Sequence, residues 1–397
     1  MVAQKSRQPA EGSNEPGDGG TALFATQDFV GWYRELFELR RSGQRIMLLF
    51  DSTIAEPTDL LVTHARRALE EDYQQRFRST FGWGSPLLLQ TIANRYGVSE
   101  KSVLATTGCT SALSHVYNTF LGPSSHVVIE TPHFELLPRL AVNRHARISF
   151  LEREPGSFAI DPSRLASLLR PDTRLIVITN AHNPSGTYLD DAALKDIAAV
   201  ANRHGVPVVV DEVYGDFVPA PLRSGPAACI DPCFISVNSL TKVYGLQALR
   251  CGWIIAAEDN LEKIRPVYSE LESGAAKITH GIASLVLEEL PVYTQHWRQL
   301  LARNLPLMQQ LSTLLEAEGL IEGSVPQHGC MFFPKLSRVR DTRTFASWLW
   351  DRQRIGVAPG EFFGAPGHLR LGYGQRSEEF ATGLAQFADA LRTYCSQ

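Results

Sequence analysis

Between about residues 103 and 256, short apolar runs alternate with stretches of helical spacing, and this alternation restricts the possible folds more than any other feature. One of the helical stretches is DDAALKDIAAVANRHG, which ends at Gly205 as helices often do. We interpret as strands the runs VLATTG, HVVIETP, RISFLE, RLIVITN, VPVVVDEVY, CFISVNSL and CGWIIAA. Strands that are largely apolar and are separated by helices predict an α/β fold, with a mostly parallel sheet between two layers of helices.

The pattern changes after Asp259, which indicates a second structural unit. A long helical region runs to about Ala317, interrupted at Pro266 and Pro291, and the sequence beyond it mixes strands with helices. Such a mixture is typical of a smaller α+β domain. Residues 1–22 are rich in Gly, Pro, Ser, Glu and Gln, and we expect a disordered tail there. The remaining divisions that we predict are an N-terminal segment over 23–58 that packs with the small domain, a large domain over 59–285 and the small domain over 286–397.

Composition and charge restrict the class of protein. The chain is 44% hydrophobic and 20% charged, with a formal net charge of -4, so neither nucleic acid nor an anionic membrane surface is indicated as a partner. No apolar run is long enough to span a membrane, and the N-terminus lacks the apolar core of a signal peptide. The six cysteines form no CxxC pair, which favours reduced thiols in a cytoplasmic protein over a metal site.

Lys242 lies between two apolar runs that we interpret as strands, an unusual place for a lysine. Ser239 and Thr241 precede it, and Arg250 follows eight residues later. A buried lysine is normally paired or reactive, and desolvation makes its amine a nucleophile for carbonyl groups. Hydroxyl groups and an arginine nearby suit a phosphate. A Schiff base between the lysine and a phosphorylated aldehyde, pyridoxal phosphate, would use all of these groups; an ordinary lysine in a solvated loop is the alternative.

Two other strand ends carry residues that suit the same ligand. Gly108 and Cys109 stand where a strand leads into a helix, and free N–H groups at such a start bind anions, although a plain helix cap would look the same. Asn183 follows the run RLIVITN, in AHNPSG, and has the amide needed to donate to a phenolate oxygen. Taken singly, both signals are weak.

Asp211 ends the apolar run VPVVVD, where a carboxylate needs a cationic partner. A protonated pyridine nitrogen would supply that cation, and Tyr214 stands three residues further on. A helix cap or an ordinary ion pair is the alternative for Asp211. We favour the cofactor-binding interpretation because all these features occur together. Each of them follows a strand end, and ligands of α/β sheets bind at strand ends.

Four motifs carry a family resemblance over about residues 30 to 395. NAHNPSG resembles NPxNPTG, DEVYGDF resembles DExY, SLTKVYGLQALRCGW resembles SxSKxxGLxGxRxGW, and GVAPGEFFG with HLRLGYG resembles PGxxFG with IRLS. On these motifs the chain resembles the fold-type I pyridoxal phosphate enzymes of the class I and II aminotransferase superfamily. The resemblance implies a large domain with a mostly parallel seven-stranded sheet between helices, and a smaller α+β domain.

The resemblance also implies roles for individual residues. Lys242 corresponds to the Schiff-base lysine and proton shuttle, Asp211 to the acid at the pyridine nitrogen, and Asn183 and Tyr214 to the donors to the ring oxygen. Arg370 corresponds to the arginine that binds the substrate carboxylate, with Asn183 close to it. The implied phosphate cradle consists of Gly108, Cys109, Thr110, Ser239, Thr241 and Arg250. Phe134, in ETPHFE, stands where the family has an aromatic residue stacked on the ring, with a simple core residue as the alternative.

Two departures from the family pattern leave the substrate and the reaction open. Ala55, which we expect beside the substrate, stands in Ala-Glu-Pro where the family has a glycine whose backbone approaches the substrate. The tyrosine that reaches the phosphate from a partner subunit has no counterpart, and RFRSTFGWGSP offers Arg78, Phe81 and Trp83 instead. The segments FVGWYRELF and LFDSTIAEPTDLL resemble capreomycidine synthase, a family member that eliminates and cyclises a modified arginine.

We therefore predict an aminotransferase that moves an amino group between an L-amino acid and a 2-keto acid. A pyridoxal phosphate-dependent lyase or cyclase is the alternative, since elimination uses the same lysine and the same ring. A non-enzymatic binding protein on this fold is disfavoured, because no helix-turn-helix extension is present and the set of reactive residues is complete. The resemblance implies a homodimer with active sites at its interface, for which residues 59–86 and Lys277–His280 are candidate contacts.

Overall fold

A seven-stranded sheet forms the centre of the computed structural model, which describes residues 28–44, 46–71, 73–77, 82–220 and 222–397. The tail predicted over 1–22 lies outside the described residues. The strands are β1 (Met47–Leu48), β2 (Val103–Thr106), β3 (His126–Thr131), β4 (Arg147–Glu152), β5 (Thr173–Thr179), β6 (Val208–Asp211), β7 (Phe234–Ser239), β8 (Gly252–Ala256), β9 (Ile321–Glu322), β10 (Met331–Phe332), β11 (Lys335–Leu336), β12 (Ile355–Gly356), β13 (Ala358–Pro359) and β14 (Leu369–Gly372).

The central sheet has the strand order β2-β8-β7-β6-β5-β3-β4. β8 runs antiparallel to both of its neighbours, and all other pairs are parallel. The predicted mostly parallel sheet is confirmed. Every strand except β8 therefore ends at the same edge, so the loops that follow β2, β5, β6 and β7 lie next to one another.

Helices cover both faces of this sheet. Their ranges are α1 (Phe29–Arg41), α2 (Thr58–Glu70), α3 (Tyr73–Arg76), α4 (Pro86–Tyr96), α5 (Cys109–Phe120), α6 (Leu136–Asn143), α7 (Pro162–Leu168), α8 (Asp191–His204), α9 (Glu258–Leu271), α10 (Lys277–Glu288), α11 (Leu290–Ala317), α12 (Thr342–Gln353) and α13 (Ser377–Cys395). Neighbouring residues of a strand point to opposite faces. Val127 and Ile129 accordingly pack in the cluster that includes α5 and α9, whereas Val128 packs in the cluster that includes α7 and α8. Burial on both faces explains why the strand sequences are apolar throughout.

Local signals account for the ends of α8. The side chain of Asp190 accepts a hydrogen bond from the backbone N–H of Ala193 at 2.8 Å, which satisfies a free donor of the first turn. Gly205 follows the last turn with φ of 63°, a left-handed conformation that glycine adopts without strain. The end predicted at Gly205 is therefore where the helix stops.

The predicted interruption at Pro266 is wrong. Pro266 lies inside α9, which continues to Leu271, and Pro291 occupies the first turn of α11, where a missing N–H costs nothing. Ile264 and Tyr268 of α9 are buried, and burial of such side chains contributes about 1.5–3 kcal/mol each. That contribution offsets the penalty of about 3 kcal/mol for a proline inside a helix. The helical region is interrupted between Leu271 and Lys277 instead, and again at Glu289, next to the predicted interruption at Pro291.

The N-terminal and C-terminal parts of the chain meet in small sheets. β1 pairs in parallel with β12, so residues 47–48 lie beside residues 355–356. β14 lies between β10 and β13, and β9 pairs with β11. The region from Asp59 to Tyr96, which we predict as two helices, contains α2, the short α3 and α4. The division of the chain into domains stays a prediction.

All six cysteines are free thiols. None of the helices in the described ranges has the length and apolar character that a membrane crossing requires. Within the same residues, no group of His, Cys, Asp or Glu side chains is arranged to hold a metal ion.

Candidate active site

A cavity of about 250 Å³ opens at the carboxyl edge of the central sheet. Its wall combines the loops after β2, β5, β6 and β7 with α1, the segment after β1, and β14. The predicted site residues that line this cavity are Cys109, Thr110, Phe134, Asn183, Asp211, Tyr214, Ser239, Thr241, Lys242, Arg250 and Arg370. Residues from six separate parts of the sequence thus come together, and all but Arg370 follow strands of the central sheet as its topology predicts.

Lys242 reaches the cavity from the loop that follows β7. Its Nζ donates a hydrogen bond to Oγ1 of Thr53 at 3.2 Å, and its carbonyl oxygen accepts one from the backbone N–H of Ile54 at 3.1 Å. Burial lowers the pKa of Lys242, because desolvation disfavours the charged ammonium. An amine that loses its proton more easily is a better nucleophile and a better general base.

Asp211 is the last residue of β6, and its carboxylate is buried beside the cavity. The backbone N–H of Val213 donates to Oδ1 at 3.1 Å. Burial raises the pKa of Asp211 to about 6, although the bonds from Val213 and from the thiol of Cys109 oppose this shift. A buried carboxylate of this kind is stabilised by a cation placed against it.

The start of α5 and the side chain of Arg250 meet in the cavity wall. Gly108 precedes the helix with φ of 84°, and Cys109 and Thr110 of its first turn line the cavity, where free N–H groups favour an anion. A Cβ atom at Gly108 would lie 2.8 Å from Nη2 of Arg250, so a side chain there would displace the guanidinium. Ser239 and Thr241 add their hydroxyl groups to the same cavity wall. Helix N–H groups, hydroxyls and a guanidinium together suit a phosphate.

Arg370 lies on β14 at the opposite side of the cavity. Nη1 donates to Oδ1 of Asn183 at 2.9 Å, and Nη2 donates to the carbonyl oxygen of Phe50 at 3.2 Å. The guanidinium lies between two aromatic rings, 5.0 Å from the ring centre of Phe29 and 4.9 Å from that of Phe363. Its Nε is buried and has no partner among the described residues, so a donor remains for a ligand. Burial lowers the pKa of Arg370 from its ordinary value.

Tyr214 is held by the N-terminal segment. Its hydroxyl shares a hydrogen bond of 2.8 Å with the hydroxyl of Ser52, and burial raises its pKa. Ala55 does not belong to the described lining of the cavity: its N–H donates to the carbonyl of Gly374, and its carbonyl accepts from His296. Its role beside the substrate stays a prediction.

The loop RFRSTFGWGSP is described only in part. Arg78 and Phe81 lie outside the described residues. Trp83 packs against Tyr268, with ring centres 6.0 Å apart, and lies under the guanidinium of Arg265 rather than in the cavity.

Sequence reasoning missed the cavity residues of the N-terminal segment. Phe29 and Tyr33 come from α1, and Asp51 and Ser52 follow β1. Their only sequence signal is a polar stretch, FDST, at the end of the apolar run IMLLF. A polar stretch of that kind also occurs in any turn, and only the pairing of β1 with β12 brings it to the cavity.

A pH dependence follows from the buried carboxylate of Asp211. Its pKa of about 6 in the folded protein exceeds the ordinary 3.8, so the folded state holds this proton more tightly than the unfolded chain does. The stabilising contribution is complete below about pH 4 and is lost as the pH rises through about 6, a difference of about 3 kcal/mol.

We therefore expect Asp211→Asn to raise the melting temperature of the cofactor-free protein at about pH 8, and to raise it much less at about pH 4.5. Thermal unfolding of both proteins at the two pH values checks this. An equal effect of the substitution at both values would contradict the result.

The cavity residues fit pyridoxal phosphate. The glycine at position 108 lets the guanidinium of Arg250 lie against the start of α5, where a phosphate would bind, and the buried Asp211 matches the cationic ring nitrogen. Lys242, whose pKa is lowered, lies between Asp211 and Arg250 in the sequence and lines the same cavity. Fold and site together define the class of protein: a pyridoxal phosphate-dependent enzyme.

The chain belongs to the aminotransferase class I and II family, whose model matches residues 51–387. Among curated relatives, capreomycidine synthase of Streptomyces vinaceus is 28% identical over 330 residues, which cover 81% of this chain and 82% of that protein. The aspartate aminotransferase of Pyrococcus horikoshii is 24% identical over 384 residues, 90% of this chain and 94% of that protein. A solved structure of a PLP-dependent aminotransferase from Streptococcus suis superimposes with a TM-score of 0.80 at 25% identity, and covers 90% of this chain and 97% of that one. The predicted family, fold and cofactor are confirmed.

Proposed function

We propose that this chain is an aminotransferase that moves an amino group between an L-amino acid and a 2-keto acid. The proposal is carried by one observation, that Lys242, Asp211 and Arg370 line the same cavity. These are the proton-transfer group, the acid for the ring nitrogen and the cation for the substrate carboxylate that the reaction requires. Membership of the aminotransferase class I and II family supports the same reaction.

Lys242 and Arg370 act on the substrate in this proposal. Pyridoxal phosphate supplies an aldehyde that exchanges amines and a ring that withdraws electrons from the α-carbon. Arg370 binds the α-carboxylate with its guanidinium, a planar donor that matches a carboxylate in two places. Nζ of Lys242 removes the α-proton as general base and later returns a proton as general acid, which its lowered pKa favours.

Asp211, Asn183 and Tyr214 would hold the cofactor ring. The carboxylate of Asp211, which already accepts hydrogen bonds from Val213 and from the thiol of Cys109, would pair with the protonated ring nitrogen. Oδ1 of Asn183 accepts from Arg370, so its Nδ2 amide would donate to the ring oxygen together with the hydroxyl of Tyr214. Arg250 and the N–H groups at the start of α5 would bind the phosphate, and Phe134 would pack against the ring.

Elimination or cyclisation of an amino acid is the second candidate function. The similarity to capreomycidine synthase, over 81% of this chain, favours it. Ala55 in place of the family's glycine, and an N-terminal segment that lines much of the substrate side of the cavity, are further support. The proton transfer by Lys242 serves both reactions, which differ in the group that leaves.

The two functions are distinguished by their products. The cofactor-loaded protein is mixed with single L-amino acids, and its absorption spectrum and the released products are followed. An aminotransferase converts the cofactor to its pyridoxamine form and releases a keto acid without ammonia. Release of ammonia in step with keto acid, with no pyridoxamine form, would instead establish the lyase and refute the proposal.

We further propose a homodimer, with active sites at its interface. Exposed apolar side chains on and near α2 and α10, such as Val62, Leu69 and Ile278, support an interface on this side of the molecule. Light scattering on the cofactor-loaded protein tests the proposal, and a monomeric mass at working concentration would refute it.

A further inference from the structure

The cavity wall contains more charged groups than the cofactor and the common part of an amino acid require. Its described charged residues are Asp51, Asp211, Lys242, Arg250 and Arg370. On the proposed function, four of them have partners: Arg250 the phosphate, Lys242 the cofactor aldehyde, Asp211 the ring nitrogen and Arg370 the α-carboxylate. Asp51 alone has no partner, and its charge is negative.

The carboxylate of Asp51 faces the cavity. Its Oδ1 accepts a hydrogen bond from the backbone N–H of Thr53 at 3.1 Å, which fixes the orientation of the side chain. Across the described part of the chain, Asp51 forms no ion pair. Burial lowers the pKa of Lys242, and the charge of Asp51 opposes this fall, so the carboxylate acts on the atoms where the reaction occurs.

Binding of an amino acid changes the electrostatic balance around Asp51. In the ligand-free cavity, the cations Lys242 and Arg370 offset its charge at a distance. The cofactor then uses Lys242, and the α-carboxylate of the substrate uses Arg370. The side chain of Asp51 is only partly exposed, so a carboxylate left there without a cation is unfavourable, and a second carboxylate on the substrate would repel it. A substrate whose side chain carries a positive charge removes this penalty.

We infer that Asp51 selects an amino acid with a positively charged side chain, a guanidinium or an amine, as the substrate of this site. The inference rests on the proposed site for the α-amino acid, and it holds whether the group that leaves is the amino group or a side-chain substituent. The ring of Tyr33 lies in the same wall and adds an aromatic face, which suits a cation and the apolar stem that carries it. The site disfavours dicarboxylic amino acids, the substrates that the name aspartate aminotransferase gives to one relative.

Pairs of amino acids with the same shape and different charge test this inference. L-arginine and L-citrulline form one pair, and L-lysine and L-2-aminoheptanoate form a second. Each is titrated into the cofactor-loaded protein, and the affinity is read from the change in the visible absorption of the cofactor. We expect the cationic member of each pair to bind at least about tenfold more tightly, since a close charge pair is worth about this much or more. L-glutamate should bind more weakly than either member of each pair.

Substitution of Asp51 tests the same inference by changing the protein instead of the ligand. Asp51→Asn should reduce the preference for L-arginine over L-citrulline to about twofold or less, mainly by weakening the binding of L-arginine. Asp51→Glu retains the negative charge and should retain a preference for L-arginine over L-citrulline. Asp196→Asn removes the same charge from an exposed position on α8 and should leave the preference unchanged.

Several outcomes would overturn the inference. These are equal affinities within both pairs in the wild-type protein, tighter binding of L-glutamate, a spectrum that responds to none of these ligands, or equal weakening of L-arginine and L-citrulline by Asp51→Asn. The wild-type measurement decides the question even if Asp51→Asn fails to fold. Because the titration reads binding and not products, release of ammonia instead of pyridoxamine would refute the proposed aminotransferase reaction and leave this inference standing.

Discussion

Replacing Lys242 with alanine should abolish turnover, with a fall in kcat of about 10⁴-fold or more, the upper end of what general acid–base catalysis contributes. Nζ of Lys242 is the amine in the cavity wall, and burial has already lowered its pKa towards that of a base that works near neutral pH. The substitution removes both the covalent attachment of the cofactor and the group that moves the α-proton. Single-turnover kinetics with a substrate amino acid measure the loss.

A second readout does not depend on activity. Borohydride reduction should add the mass of the cofactor to the wild-type peptide that contains Lys242, and it should add nothing to Lys242→Ala. Lys195→Ala removes an exposed lysine from α8 and should behave as wild type in both experiments. A small external amine should restore part of the proton transfer in Lys242→Ala. Attachment of the cofactor to a different lysine in the wild-type protein would refute the assignment.

The half of the site that holds the cofactor could be predicted from the sequence. Its residues follow the ends of apolar strands, and the mostly parallel topology brings these ends to one edge. Asp211 illustrates the reason: a carboxylate directly after VPVVV is conspicuous, because the strand before it is buried on both faces. For a residue that directly follows a buried strand, its place in the sequence is enough to predict that it lies at the carboxyl edge of the sheet.

The half of the site that faces the substrate could not be predicted in the same way. Phe29, Tyr33 and Asp51 reach the cavity only because α1 and the segment after β1 pack across it. No periodicity in the sequence records that packing, since the two-residue strand β1 is held by β12, more than 300 residues away. The continuation of α9 through Pro266 could not be predicted from the sequence either. There the buried contacts of the helix outweigh the tendency of proline to end it.

The two halves meet at Arg370. Asn183, from the loop after β5, and Phe50, from the N-terminal segment, both accept hydrogen bonds from its guanidinium. The ring of Phe29 on α1 covers one side of that guanidinium. A change at Phe29 or Asp51 is therefore expected to alter which amino acid is accepted, whereas Ser52 and Thr53 also contact Tyr214 and Lys242, which act on the cofactor.

Replacing Arg370 with alanine should reduce kcat/KM for the amino acid by about 30- to 5,000-fold, because loss of one partner of a buried charge pair costs about 2–5 kcal/mol. Arg370→Lys keeps the charge and loses the planar two-point contact, so a smaller loss of about tenfold is expected. Since Arg370 contacts none of the phosphate-site residues by any described hydrogen bond, both variants should still bind the cofactor, although loss of the bond to Asn183 should shift its absorption in Arg370→Ala.

The diagnostic for Arg370 is a comparison of each amino acid with the amine that lacks its α-carboxylate. The wild-type protein should bind the amino acid far more tightly than the amine, and Arg370→Ala should bind the two almost equally, because the carboxylate then has no partner in the cavity. Arg203→Ala removes an exposed arginine from α8 and should preserve the wild-type preference. If Arg370→Ala weakened the amino acid and the amine to the same extent, the arginine would be supporting the cavity wall between Phe29 and Phe363 and not binding the carboxylate.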